Sequence, residues 1–120
     1  MVKIYFTLFK NPKADPRTYE LSEVGKKALR KEIEDLKTST SPLIMIKAFT
    51  DVTGDYKKNQ VESYQRALTI KQFMVDEMSF HPDRVVAIGF GEWEPKYSVH
   101  VPGHNRKNRR VQIKPVKFRG

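Results

Sequence analysis

Residues 50–67 read TDVTGDYKKNQVESYQRA. An acid, Asp51, closes an apolar run, Gly54-Asp55 turns the chain, and the residues that follow hold no proline or glycine as far as Ser79. On a helix at about 100° per residue, Asn59 and Arg66 are seven positions apart and so lie within ~20° of each other, with Ser63 within ~60° of both. They make one polar stripe beside an apolar stripe of Ala67, Ile70, Met74 and Met78. A strand end, a tight turn and a helix start therefore converge an acid, an amide and a guanidinium on one corner. That corner adjoins a helix N-terminus, which favours anions. In α/β proteins, functional groups collect at such strand ends.

The flanking sequence supplies the rest of a fold. Before the stretch, LIMIKAF from Leu43 is a short apolar run bounded by Pro42 and Thr50, which reads as a buried strand. After it, a helix runs from about Tyr56 to about Ser79, with Asp55 as N-cap, and RVVAIGF from Arg84 reads as the next strand. Residues 2–9 are rich in Val, Ile, Tyr and Phe and suit a first strand. Leu21, Val24, Ala28, Leu29, Ile33 and Leu36 recur at helical spacing, with Ser22 or a neighbour as cap. RRVQIKPVKF near the C-terminus alternates as a strand should. The fold class is thus α/β (α+β), in the order β-α-β-α-β-β. Two helices pack on one face of a mixed four-stranded sheet, with strands near 2–9, 43–50, 84–90 and 108–117.

The 120 residues, 38% hydrophobic, are read as one domain over 1–120, large enough for a core. The chain has no cysteine, which excludes disulfides, thiolate metal sites and a cysteine nucleophile. No apolar run approaches the ~18 residues of a membrane span. The six residues between Lys3 and Lys10 are short for the ~7–15-residue core of a signal peptide. His81, His100 and His104 lack metal-ligand spacing, and no cofactor is expected. G-x-S-x-G and H-E-x-x-H motifs are absent, so no enzymatic activity is expected. Charge is uneven along the chain. The first 94 residues hold 15 basic and 14 acidic residues, whereas the last 26 hold 8 basic and no acidic ones. Such a tail suits an anionic partner, or simply a strand edge kept soluble by charge.

Several spaced motifs agree with one family. The chain resembles the OmpA-like peptidoglycan-binding domain of outer-membrane proteins, Pal-type lipoproteins and flagellar stator proteins. The resemblance is carried by Thr50-Asp51, Gly54, Asn59, Ser63, Arg66 and Ala67, in register without a gap. It extends through Gly89-Phe90-Gly91-Glu92 with Pro95 to Asn108-Arg109-Arg110-Val111-Gln112-Ile113, and covers about Leu43 to Ile113. Three positions depart from the family pattern: Ala48-Phe49 stands where Gly-His is usual, and Glu62 where leucine is usual.

The resemblance implies a non-catalytic domain of the bacterial periplasm, part of a longer envelope protein, that binds the diaminopimelate of the peptidoglycan stem. Asp51 would meet the ligand ammonium and Arg66 its carboxylate, since arginine offers a bidentate fork. Thr50 and Asn59 would add neutral hydrogen bonds, and Gly54, Ser63 and Glu92 would support the site. Of the paired arginines, Arg109 shares the side of Val111 and Ile113 and is the expected site member, while Arg110 points away. Asp51 and Arg66 are treated as surface positions whose loss costs little stability.

Blander readings stand beside these. Asp51 and Arg66 also suit a structural ion pair between loop and helix. Taken singly, Asn59 reads as a solvated helix residue, and Gly54 needs only a turn. A second functional class is nucleic-acid binding by the basic C-terminal strand. It is weakened because Phe118 is that strand's lone aromatic. A third is an interaction or dimerisation domain that has lost the ligand. The expected partners are peptidoglycan and other envelope proteins, with a membrane reached only through a segment outside this sequence, in a monomer or homodimer.

Overall fold

The structure is a computed structural model that describes residues 2–5, 20–38, 41–49, 56–91 and 110–116. The described elements are β1 (Val2–Tyr5), α1 (Glu23–Ile33), a 3-10 helix (Glu34–Thr38), β2 (Leu43–Phe49), α2 (Tyr56–Met78), a short 3-10 turn (Pro82–Arg84), β3 (Val85–Gly91) and β4 (Arg110–Val116). This is a mixed α+β fold with two helices and a mixed sheet. The sheet has the order β1-β4-β2-β3, with β2 and β3 parallel and β4 antiparallel to both β1 and β2. The parallel pair is joined through α2, because parallel neighbours need a crossover.

Each boundary has a local cause. Ser22 caps α1, its Oγ accepting a hydrogen bond from the Gly25 amide at 2.9 Å. Helix α2 stops at Met78 because Ser79 takes a left-handed conformation, φ 61°, and the Phe80 amide turns back to the Met74 carbonyl at 3.0 Å. His81 opens the next 3-10 turn, its Nδ1 accepting from the Asp83 amide. Pro115 is tolerated in β4 because it lies beyond the residues that β1 pairs with, where β4 has a described neighbour on one side alone.

One core binds both helices to one face of the sheet. From the sheet come Ile44, Ile46 and Ala48 of β2, Val85 of β3, and Val111 and Ile113 of β4. Alternation along each strand puts them on the same side. Against them pack Leu29 and Ile33 of α1 and Ala67, Ile70, Phe73, Met74 and Met78 of α2. The apolar stripe expected on α2 is therefore its buried face. On α1 the expected stripe is corrected at one position. Val24 is 78% exposed, because the inward face runs Gly25, Leu29, Ile33 in steps of four.

The helices are also tied end to end. Arg30 of α1 lies 5.4 Å from the Phe73 ring centroid and donates to the Glu77 carbonyl, and Lys26 pairs with Glu77 at 3.7 Å. Arg84 fastens the other end of the α1 arm. Its guanidinium donates to the carbonyls of Leu36, Lys37 and Ser41 at 3.2–3.4 Å. Leu36 and Lys37 lie in the last turn of the 3-10 helix, where carbonyls run out of helical donors, and Ser41 lies between that helix and β2.

Candidate ligand-binding site

Helix α2 is the next described element after β2, and it approaches the sheet closely at Gly89. A Cβ built on Gly89 of β3 would meet Tyr64 of α2 at 2.5 Å from its N and 2.7 Å from its Cα. Any side chain at Gly89 would collide with helix backbone, so glycine sets the closest distance between α2 and β3. This contact lies within the first half of α2, which carries Asn59, Ser63 and Arg66.

Those three polar residues are buried. Ser63 has no exposed surface, Arg66 is 4% exposed and Asn59 9%. The Ser63 hydroxyl donates to the Gln60 carbonyl at 2.8 Å, which satisfies it one turn back along its own helix. Asn59 and Arg66 are likewise engaged in the fold. Two expectations are corrected here. Asn59 is not a solvated helix residue, and Arg66 is not a surface one: the polar stripe faces inward beside Ala67 and Ile70. A guanidinium survives such burial only with polar or anionic company. Glu62, the departure on the same helix, is half-buried.

The two departures at the end of β2 point to opposite faces. Ala48 is fully buried in the helix-side core, across from Val111 and beside Gly89. Phe49 belongs to the other face and is 2% exposed. Its ring stacks on Phe90 with centroids 5.2 Å apart and planes at 17°. The guanidinium of Arg110, its cross-strand partner, lies 4.1 Å from its centroid. Arg110 therefore sits on the face away from Val111 and Ile113, as alternation requires, and is 3% exposed. The sequence held no signal for this stack, which needs the register of three strands. Thr50, Asp51, Gly54, Glu92 and Arg109 lie outside the described residues. Asn59, Ser63 and Arg66 are brought together on one helix face.

Among the described residues, no group of three or more His, Asp or Glu side chains is arranged to hold a metal ion, and no helix is long and apolar enough to cross a membrane.

The mixed sheet with two helices is a fold shared with solved domains. The C-terminal domain of Helicobacter pylori MotB matches at TM-score 0.77 and 15% identity, over 98% of this chain and 86% of that one. The peptidoglycan-associated lipoprotein of Burkholderia pseudomallei matches at TM-score 0.72 and 19% identity, over 95% and 89%. A MotB-like protein of Desulfovibrio vulgaris matches at TM-score 0.72 and 22% identity, over 92% and 71%. No curated protein sequence matches the chain. Residues 15–109 match the OmpA family, and the chain belongs to it.

Proposed function

We propose that this chain is a non-catalytic peptidoglycan-binding domain. It would anchor a longer envelope protein to the cell wall in the periplasm, holding the diaminopimelate of the peptide stem. The observation that carries the reading is the buried Asn59-Ser63-Arg66 stripe, set on a helix that Gly89 locks to the sheet, directly after the segment that holds Thr50 and Asp51. Diaminopimelate presents an ammonium and a carboxylate on one carbon. Asp51 answers the first and Arg66 the second, and a guanidinium in a recess of low dielectric binds a carboxylate more strongly than one in water. Thr50, Asn59 and Arg109 add hydrogen bonds, and Gly54, Ser63 and Glu92 hold the frame. Family membership supports this reading, as does a fold shared with a protein described as a peptidoglycan-associated lipoprotein.

The burial of Arg66 favours one rival, in which Asp51 and Arg66 form a structural ion pair and no ligand is involved. Binding and stability separate the two. Purified protein should sediment with insoluble peptidoglycan, and a soluble diaminopimelate-containing peptide should compete. Asp51→Ala should abolish most binding with the fold intact, and Arg66→Lys should weaken it while keeping the charge. Unaltered binding by a folded Asp51→Ala would sink the proposal. Lost stability with no ligand to lose would establish the ion pair.

A further inference from the structure

We infer that Phe49, held against Arg110, is a positioning residue for the ligand site, a role that rests on the reading above. Phe49 is the last residue of β2, and Thr50 and Asp51 follow it directly. Arg110 is the first residue of β4, and Arg109 precedes it. The two residues are partners across the β2–β4 ladder. Their rung therefore stands immediately before Thr50 and Asp51 in sequence on one strand and immediately after Arg109 on the other.

Three observations make the rung more than an ordinary strand end. The first is that both side chains are almost fully buried on the face opposite the helices, although one carries a full charge. The second is a sandwich of rings and cations. Phe90 stacks on Phe49, Arg110 lies over Phe49, and Lys47 reaches Phe90 with its Nζ 5.4 Å from the centroid. A guanidinium over an aromatic face gains from the ring quadrupole, and more so where water is excluded. The third is a register shift. Ala48 pairs with Gly89, yet Phe49 pairs with Gly91, so β3 carries one extra residue, Phe90, against the end of β2. Bulges of this kind re-aim a strand and recur beside functional sites. Here the extra residue supplies the ring on which Phe49 stacks.

The stack therefore clamps the ends of β2, β3 and β4 against one another on one face, while Gly89 and Ala48 bring α2 down on the other. Asp51 comes two residues after the first clamp in sequence, and Arg66 lies on the helix held by the second. In the family pattern position 49 carries histidine, a ring that hydrogen-bonds. Phe49 offers only a π face, so in this chain the hold on β4 passes through Arg110.

The test reads ligand affinity and stability side by side, using the soluble diaminopimelate-containing peptide as probe. Phe49→Leu keeps apolar volume and removes the ring. It should raise Kd about tenfold in fully folded protein, because Asp51 must then be brought into place on binding. It should also move the backbone amide resonance of Asp51 without ligand present. Phe49→Tyr keeps the face and should restore Kd to near the parent value. Ile33→Val, in the core but remote from the rung, should lower Tm and leave both Kd and the Asp51 resonance alone. A folded Phe49→Leu with parental Kd overturns the inference. Should Phe49→Leu fail to fold, Arg110→Met decides in the same way, since a parental Kd there leaves the rung without a role. Asp51→Ala run in parallel separates the two failures. If it binds like the parent, the site itself is misassigned. If it loses binding while the rung variants do not, only the positioning role falls.

Discussion

Gly89 is the residue on which the helix–sheet distance turns. With Tyr64 backbone 2.5 Å from the space a methyl would fill, Gly89→Ala has no flexible neighbour to displace. It should destabilise by about 1–3 kcal/mol, the usual cost of overpacking, and weaken ligand binding because α2 must lift. Chemical denaturation and the peptidoglycan assay check both, and an unchanged midpoint would show that the helix slides freely. Ser79 presents the opposite case. It holds φ 61° where glycine is at ease, so Ser79→Gly should gain about 0.5–1 kcal/mol. Arg66→Ala empties a buried site and removes its polar contacts, so a loss of about 1–3 kcal/mol is expected, against the small loss that a surface position would give.

Between elements, Arg84 ties the 3-10 helix and Ser41 to the start of β3. Replacing it with Met keeps the stem and removes three charge-assisted bonds to carbonyls, at a cost of about 1–2 kcal/mol. Hydrogen exchange should then rise in residues 34–38 before it rises in β2, and uniform acceleration would argue against a local clamp. Elements were the most legible level in the sequence. The apolar period of α2 and its end near Ser79, the Ser22 cap, and the runs of β2 and β3 are local signals, and they mark what forms. Val24 misled because a period-matching apolar residue in a first turn can fall on the outer face. The polar stripe was legible as a stripe, since spacing alone makes one. Its burial was not, because burial depends on how near α2 approaches the sheet. The Phe49 stack was invisible for a similar reason, as β4 lies some sixty residues from β2 in sequence and meets it only through register.

Over the whole molecule, charge is the property that local structure does not absorb. Lys47 and Lys114 sit with Arg110 on the sheet face away from the helices, and the tail adds Lys117 and Arg119 in sequence. Attraction between exposed charges is screened within ~8 Å at physiological salt, whereas a desolvated contact at Arg66 is screened less. Salt titration of peptidoglycan binding should therefore resolve two components. Charge-neutral substitutions at Lys114, Lys117 and Arg119 should remove only the early, salt-labile one. The nucleic-acid alternative predicts a steep salt slope on DNA or RNA and loss of that binding with the same substitutions. Sub-micromolar retention of nucleic acid in a gel shift at near-physiological salt would displace the cell-wall reading.

The register of β1 on β4 has a mechanical meaning for an anchor. Tyr5 pairs with Arg110, level with Phe49, while Val2 pairs with Ile113 farther down the sheet. Tension between Val2 and Phe49 at the end of β2 therefore runs along the strands, and the four rungs of β1 bear it together. Pulling Val2 away from Val116 loads the rungs one after another from the Val2 end, like a zipper. Forced unfolding follows the barrier along the pulled direction. Single-molecule extension with handles at residues 2 and 49 should thus need more force to strip β1 than handles at residues 2 and 116. Equal forces would mean that β1 carries no load. In the shearing direction the four-residue strand Val2–Tyr5 works as a grip rather than a seam.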